Sequence, residues 1–460
     1  MQDYTDRYPI LKDTVRIKKF SSFCWITELI SDCSQPITPT AAFLLANCNG
    51  EWNLRQIRYL FGETCNLQTA QAEELVHNVL GEFANCLDWS DRPGKTAAGL
   101  NPCDFLYRTC PGALAAQERC DTPTELFLSL TNLCNFRCIY CFNASGTQKS
   151  QEIGTKQWLN FIRQAGEAGV LKCTLTGGEP MLHQGFYDIL AELARFHIMP
   201  YVCTNGSLID ADAIRRFHAA DVRAVQISMD SAAPDIHHKL TATTNSFDRV
   251  IQGMERLAAA GIAVHVKSVL TPFNLDNIPQ LVALCSRIGV TKLTLDRFDV
   301  SSCGRGGAEL LITEQQMEEV KSYIAANHRQ VANQMTVAAT ANKKRWQDEN
   351  DIVPCGAFRR SMVVLPDGNV SVCEKLTDIP EMTVGNICHD SLMDIWTSPK
   401  IADILSPAKN KLDGTCQSCE HLDKCGTGCF AIKYFLQQGP FQADPRCWKA
   451  AKTGNPYAVL

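Results

Sequence analysis

The residues of this 460-residue chain best suited to chemistry are cysteines, 23 in all, and the informative ones stand in spaced groups. Cys134, Cys138 and Cys141 lie in LCNFRCIYCF, a C-x3-C-x2-C arrangement. Three thiolates on one short loop can converge on a metal centre, yet they are one short of the four that close a structural zinc or a cubane iron–sulfur site. A three-ligand cluster leaves one iron open to a ligand that is not protein; zinc with a distant fourth ligand is the alternative. Further along, Cys355-x12-Gly368-x4-Cys373 is followed by Cys416-x2-Cys419-x5-Cys425-x3-Cys429 and then Cys447. Seven spaced cysteines are a far more specific signal than a single C-x2-C, which alone could be a zinc knuckle.

Three polar motifs accompany the first cysteine cluster. In Thr176-Gly177-Gly178-Glu179-Pro180, two glycines let backbone approach a ligand closely and Glu179 offers an anion for an ammonium group. Thr204-Asn205-Gly206 and Ser228-Met229-Asp230-Ser231 follow.

Positioning these motifs falls to a run of alternating strands and helices from 124 to about 300. Candidate strands are Leu126–Leu130, Leu171–Leu175, Met199–Cys203, Val222–Ser228, Ile262–Leu270 and Val290–Leu295. Amphipathic helices lie between them, as in Phe186, Ile189, Leu190, Leu193 and Phe196. Repeated βα units imply an α/β fold with a parallel sheet. Six units fit an incomplete, laterally open (β/α)6 barrel; a doubly wound sheet fits them too. The four motifs fall at four successive strand C-termini, the rim where barrels place their active sites.

Residues 1–89 read as a winged-helix-like α+β domain. VRIKKF (15–20) and FCWITEL (23–29) form a hairpin, and Thr38-Pro39 opens a helix that closes at Gly50. A second helix covers Leu54–Phe61, and a third carries Leu75, Val76, Val79, Leu80 and Phe83 on one face. The early cysteines Cys24, Cys33, Cys48, Cys65 and Cys86 match no ligand spacing and read as small buried hydrophobes. Residues 90–123 read as a linker, 124–310 as the βα core, 311–354 as a bridging helical region and 355–460 as a cysteine-rich domain. Within the last, MVVLPDGNVSVC (362–373) is two strands joined by a Pro-Asp-Gly turn.

Composition narrows the function classes. With 45% hydrophobic residues the chain has ample core, and 44 basic against 49 acidic residues provide no basic field for nucleic acid and no polybasic membrane patch. No apolar run reaches the roughly 18–20 residues of a membrane span. The start, MQDYTDRYPILKD, lacks a signal peptide's apolar stretch. Dense cysteine without a signal peptide favours metal ligation in a cytoplasmic, reducing compartment over a disulfide framework.

The central section resembles the radical S-adenosylmethionine (SAM) enzymes, whose signature is C-x3-C-x-aromatic-C; Tyr140 supplies the aromatic. The resemblance implies that Cys134, Cys138 and Cys141 hold a [4Fe–4S] cluster whose open iron binds the amino and carboxylate groups of SAM. It places Tyr140 near the adenine, Gly177, Gly178 and Glu179 at the methionine ammonium, and Asn205, Ser228 and Asp230 near the ribose and carboxylate. One departure is visible: relatives often carry an Arg-Gly after the His of the fourth-strand loop, where this chain reads HHKLTATT (237–244).

The C-terminal cysteines resemble the SPASM extension, which carries two auxiliary [4Fe–4S] clusters and brings the total to three. By that pattern Cys416, Cys419, Cys425 and Cys447 complete one cluster, and Cys355, Cys373 and Cys429 hold the other, either with an open iron and Cys388 unligated or with Cys388 as the fourth ligand. Residues 1–89 resemble the RiPP recognition element, which binds leader peptides of ribosomally made, modified peptides; TPTAAFLLANCNGEWNLRQI (38–57) carries this likeness. Together these resemblances imply a cytosolic peptide maturase that takes electrons from a donor such as flavodoxin or ferredoxin. It generates a 5′-deoxyadenosyl radical and installs cross-links in a precursor peptide. Sulfur-to-carbon thioethers, as in sactipeptide and ranthipeptide synthases, are the expected product; carbon–carbon cross-linking uses the same modules. The competing class is a non-enzymatic winged-helix DNA-binding protein with a zinc-ribbon tail, which leaves the GGEP motif and the six βα units unexplained.

Overall fold

A computed structural model of the chain describes residues 5–449 apart from 21–22, 29, 31–32, 66, 95–99, 106–118, 147–150, 299–304, 332–334, 340–351, 353–354, 377–378, 406–408, 413, 438, 440 and 445–446. The chain divides into two compact units, Met1–Asp121 and Thr122–Leu460. Among the described residues no helix is long and apolar enough to cross a membrane.

The first unit opens with strands β1 (Tyr8–Leu11), β2 (Val15–Lys19), β3 (Cys24–Glu28) and β4 (Cys33–Ile37). Helices α1 (Pro39–Ala46), α2 (Leu54–Cys65) and α3 (Thr69–Glu82) follow, then β5 (Leu87–Ser90). The foreseen hairpin is β2–β3, in register from Val15–Glu28 to Lys19–Cys24, and β4 extends it to three antiparallel strands. Strands β1 and β5 pair antiparallel as a separate ribbon; four residues each are too short for an alternation that sequence could reveal. Helix α1 starts as expected, with Thr38 Oγ1 accepting from Ala41 N at 3.1 Å and Pro39 at the first helical position. It ends at Asn47, ahead of Gly50. The core gathers Ile17, Ile26, Leu44, Ile57, Val76 and Phe105, the last from the stretch read as linker. Cys24, Cys48 and Cys86 are buried in it, and burial pushes the Cys48 thiol up to about 12, so it behaves as a small apolar side chain.

The second unit carries the alternating pattern. Its strands are β6 (Glu125–Ser129), β7 (Lys172–Thr176), β8 (Met199–Thr204), β9 (Ala224–Ser228), β10 (Ala263–Leu270) and β11 (Lys292–Arg297). Between them run α4 (Thr155–Glu167), α5 (Phe186–Arg195), α6 (Ala211–Ala219), α7 (Pro234–Thr241), α8 (Ser246–Ala259) and α9 (Ile278–Ile288). All six strands are parallel and lie side by side in chain order. A doubly wound sheet reverses its strand order at a switch point; none occurs here, so the singly wound, barrel-type alternative holds. Helix α5 buries Phe186, Ile189, Leu190 and Leu193, the face its periodicity marks.

The sheet is longer than six strands. Strand β12 (Thr336–Ala339) runs parallel beyond β11. At the other edge β13 (Ser361–Val364) pairs parallel to β6, followed antiparallel by β14 (Asn369–Ser371) and β15 (Thr383–Asn386). Strands β13 and β14 are the hairpin foreseen in MVVLPDGNVSVC. Its union with β6 puts the cysteine-rich segment on the barrel's own sheet.

The cysteine loop after β6 is stitched to the end of β7. Leu130 N donates to Thr176 O at 2.9 Å, Gly178 N to Thr131 O at 2.6 Å and Glu179 N to Leu133 O at 2.8 Å. That approach demands glycine. A Cβ on Gly178 would lie 2.2 Å from Leu133 O, and one on Gly177, whose φ is +140°, would lie 2.5 Å from Thr131 O. Gly178→Ala is therefore expected to cost about 1–3 kcal/mol through overpacking, read as a lower urea midpoint. Gly81→Ala in α3, where an added Cβ meets nothing within 4 Å, should instead stabilise by about 0.5–1 kcal/mol. Equal responses from the two variants would contradict the stitching.

Candidate active site

The strand C-termini enclose a cavity of about 340 Å³, within the roughly 300–1,000 Å³ range of small-molecule sites. Every strand from β6 to β11 contributes to its wall, through residues such as Phe127, Thr176, Cys203, Ser228, Lys267 and Asp296. Below it, earlier on the same strands, Lys172 Nζ meets Glu125 Oε1 at 3.1 Å and the Tyr201 hydroxyl meets His265 Nδ1 at 2.8 Å. These polar pairs floor the barrel.

Cys134, Cys138 and Cys141 all line the cavity. Burial pushes the Cys134 thiol up to about 11 and Cys138 higher still, and the three thiols lie within one another's fields. Such thiols stay protonated until a metal displaces the proton. Among the described residues no three His, Cys, Asp or Glu side chains are drawn together around a single ion position. Ligands of a cubane bind different irons and need no such convergence.

Gly177, Gly178, Asn205, Ser228, Asp230 and Tyr140 also line the cavity. Glu179 does not. It is fully buried behind the wall, accepting from Thr204 Oγ1 at 2.7 Å, Asn205 N at 2.8 Å and Met181 N at 3.2 Å. It ties the end of β7 to the end of β8, and burial, against those three hydrogen bonds, lifts its carboxyl to about 7. Asn205 in turn donates to Asn135 Oδ1 at 2.8 Å and accepts from Ser207 N at 2.9 Å, anchoring the cysteine loop from a second strand. The Tyr140 hydroxyl donates to Asp230 Oδ2, while Asp230 Oδ1 accepts from Val269 N at 2.8 Å. Burial lifts Asp230 to about 6.

Sequence reasoning missed several wall residues. Lys267 Nζ pairs with Asp296 Oδ2 at 3.1 Å. Burial alone would lower this lysine, but Asp296, with Glu374 behind it, holds it above its ordinary value. Arg305 reaches the wall from beyond β11, donating from Nη2 to Ser145 O at 2.7 Å. Its Nη1 is buried with no hydrogen-bond partner among the described residues. Glu374 and Lys375, directly after Cys373, line the same cavity. For Lys267 and Asp296 a signal existed: charged residues interrupt otherwise apolar strand patterns near their C-terminal ends. Arg305 stands outside any motif.

The C-terminal cysteines fall into two groups. Cys355 lies in the field of Cys429, and Cys373 in that of Cys355. Cys425 lies near Cys416 and Cys447, and Lys449 near Cys419 and Cys447. Cys388 is exposed and stands by the β13–β14 turn, its Sγ 3.3 Å from a Cβ built on Gly368.

A barrel-type sheet with a three-cysteine loop over its mouth, joined to a second cysteine cluster, defines an iron–sulfur protein of the SAM-dependent radical class. Residues 128–285 match the radical SAM superfamily profile and residues 355–420 the iron–sulfur cluster-binding SPASM domain. The chain is thus a radical SAM enzyme with a SPASM domain, homologous to peptide maturases. Mycofactocin maturase MftC of Mycobacterium tuberculosis is 28% identical over 332 residues, 71% of this chain and 83% of that protein. The PqqA peptide cyclase of Gluconobacter oxydans is 24% identical over 338 residues, 71% of this chain and 90% of that protein. In fold, the chain resembles Streptococcus suis SuiB bound to its precursor peptide SuiA. The TM-score is 0.66 at 16% identity, covering 96% of this chain and all of SuiB.

A radical SAM protein uses SAM and a [4Fe–4S] cluster, and a SPASM domain binds further iron–sulfur clusters. The residues present fit that demand. Three thiols face one cavity, two glycines keep its wall free of side-chain bulk, and Arg305 Nη1 is a buried donor without a partner.

The raised carboxyls predict a pH dependence. Between the ordinary values of 3.8 for Asp230 and 4.5 for Glu179 and their folded values of about 6 and about 7, the folded chain holds protons that the unfolded chain has released. Stability of the iron-free protein should therefore fall as pH rises from about 4 through about 7. In Asp230→Asn the urea midpoint should fall less steeply over that window; an unchanged slope would show that Asp230 does not contribute.

Proposed function

We propose that this enzyme cross-links a ribosomally made precursor peptide, and that the bond it forms is a thioether between a cysteine sulfur and a carbon of the same peptide. The observation that carries this reading is the shared cavity: the Cys134–Cys141 loop and the residues after Cys373 form walls of one space. A substrate placed there meets a radical-generating centre on one side and an auxiliary centre on the other.

In this reading Cys134, Cys138 and Cys141 hold the [4Fe–4S] cluster, which with SAM supplies the 5′-deoxyadenosyl radical. Gly177 and Gly178 present backbone to the methionyl end. Arg305, with its unpartnered Nη1, takes the carboxylate-binding part that the HHKLTATT segment lacks. Tyr140 is held by Asp230 against the purine side, with Asn205 and Ser228 near the ribose. Glu179 acts through Thr204 and Asn205, fixing the rim on which the ammonium rests. The two further clusters sit on Cys416, Cys419, Cys425 and Cys447, and on Cys355, Cys373 and Cys429, for three in all. Cys388, exposed and apart, is not needed as a ligand.

Residues 1–89 serve as the leader-binding domain and 90–123 as the linker, ahead of the radical SAM core (124–310), a bridging region (311–354) and the SPASM domain (355–460). The β2–β3–β4 sheet offers edges to which an extended leader can add as a strand, with backbone hydrogen bonds for affinity and side-chain pockets for specificity. A cytoplasmic flavodoxin or ferredoxin supplies the electrons.

Reading the genes beside this one for a short cysteine-bearing peptide, then co-expressing it and applying mass spectrometry, tests the reading. Each thioether should remove two hydrogens and one thiol that iodoacetamide can alkylate, and truncating the leader should abolish the change. Loss of hydrogens with every thiol still alkylatable would point to the second reading, a carbon–carbon cross-link.

A further inference from the structure

Between the two C-terminal cysteine groups lies a lysine that water does not reach. Lys433, on the helix Phe430–Gln437, is 0% exposed. Its Nζ donates to Thr427 Oγ1 at 2.6 Å and stands 4.6 Å from the centre of the Phe430 ring. Helical spacing puts it there: Lys433 N donates to the carbonyl of Cys429, four residues back, at 3.1 Å. Thr427 lies between Cys425 and Cys429 in the chain. The ionisable groups that face the ammonium are Asp444, Cys416, Cys425 and Cys429, and Cys355 lies in its field as well. These thiols belong to both groups. Arg359 is a second cation nearby, facing Cys355 and Cys425. Asp444 is the opposing charge. It is 2% exposed, and its Oδ2 accepts from Cys429 N at 2.8 Å.

A buried ammonium is retained where nearby negative charge repays its lost hydration. One hydroxyl and a carboxylate already engaged with backbone are a thin return, whereas two anionic iron–sulfur clusters on the surrounding thiolates would supply it in full. A fixed positive charge in a low-dielectric interior also stabilises the reduced, more negative state of each cluster.

We propose that Lys433 is a positive charge shared by both auxiliary clusters, raising their reduction potentials so that they take up the electron released when the peptide cross-link forms. The inference rests on the reading above, in which these cysteines hold two clusters. The electron count is simple. A substrate thiolate brings an electron pair to a carbon radical, two of the three electrons form the sulfur–carbon bond, and the third passes to an oxidised auxiliary cluster. The thiol proton has already gone to solvent. Lys433 is thus a positioning residue for charge and touches no substrate.

The test is a redox titration of the anaerobically reconstituted full-length enzyme, followed by electron paramagnetic resonance, with iron counted in every sample. Lys433→Met should lower the midpoint potentials of both auxiliary clusters at unchanged iron content. Lys433→Arg should keep them near wild type, and Asp444→Asn, which removes the opposing charge, should raise them. Opposite shifts from the two neutralising variants are a signature that loosened packing cannot produce. Unchanged potentials in Lys433→Met at full iron content would overturn the inference, as would shifts of one sign in both variants. If Lys433→Met loses iron, Asp444→Asn decides: a rise supports the proposal and no change overturns it. A wild-type enzyme holding only about four irons would instead sink the cluster assignment on which the proposal stands.

Discussion

The contact on which the rest of the site depends is the backbone approach between the end of β7 and the cysteine loop. Gly178 N reaches Thr131 O and Glu179 N reaches Leu133 O, leaving no room for a Cβ at either Gly177 or Gly178. From this seam the loop is pulled across the barrel mouth. Asn135 is caught by Asn205 after β8, and the backbone of Arg137 and Ile139 is held by Thr241 and Leu240 at the end of α7. Three thiols on an otherwise irregular segment thereby face one cavity. The glycines, which alone suggest only close approach to a ligand, are first a requirement of protein packing.

Charge is distributed with the same economy of parts. Around the first cysteine group the buried carboxylates Glu179 and Asp230 are held by hydrogen bonds from neighbouring strands and from Tyr140. Around the C-terminal groups stand the buried cation Lys433, the half-buried Arg359 and the buried carboxylate Asp444. The pairing of β13 with β6 carries Glu374 and Lys375, directly after Cys373, to the barrel mouth.

Much of this was legible in the amino-acid sequence, for identifiable reasons. The six barrel strands are marked by apolar runs bounded by turns, and each polar motif follows one of them. The division of the C-terminal cysteines into two groups comes from the resemblance to the SPASM extension, because spacing alone does not say which cysteines share a cluster. The sequence could not reveal that β13 would join β6, because the Thr124 and Arg360 backbones that begin this pairing are 236 residues apart and parallel pairing leaves no local trace. Arg305 was invisible for the same reason, as it lies in no motif. Glu179 was read as facing the ligand, whereas its oxygens are occupied by Thr204, Asn205 and Met181; local sequence gives a side chain's chemistry but not its direction.

In the proposed function, the Cys134, Cys138 and Cys141 loop at the barrel mouth holds the cluster that generates the radical. Its most direct test is formation of 5′-deoxyadenosine from SAM under anaerobic reducing conditions, comparing wild type with a variant carrying Ala at those three positions. Steady, reductant-dependent formation is expected from the wild type and none from the variant, whose C-terminal cysteines remain. Equal formation by both proteins, or none by a wild type loaded with iron, would contradict it.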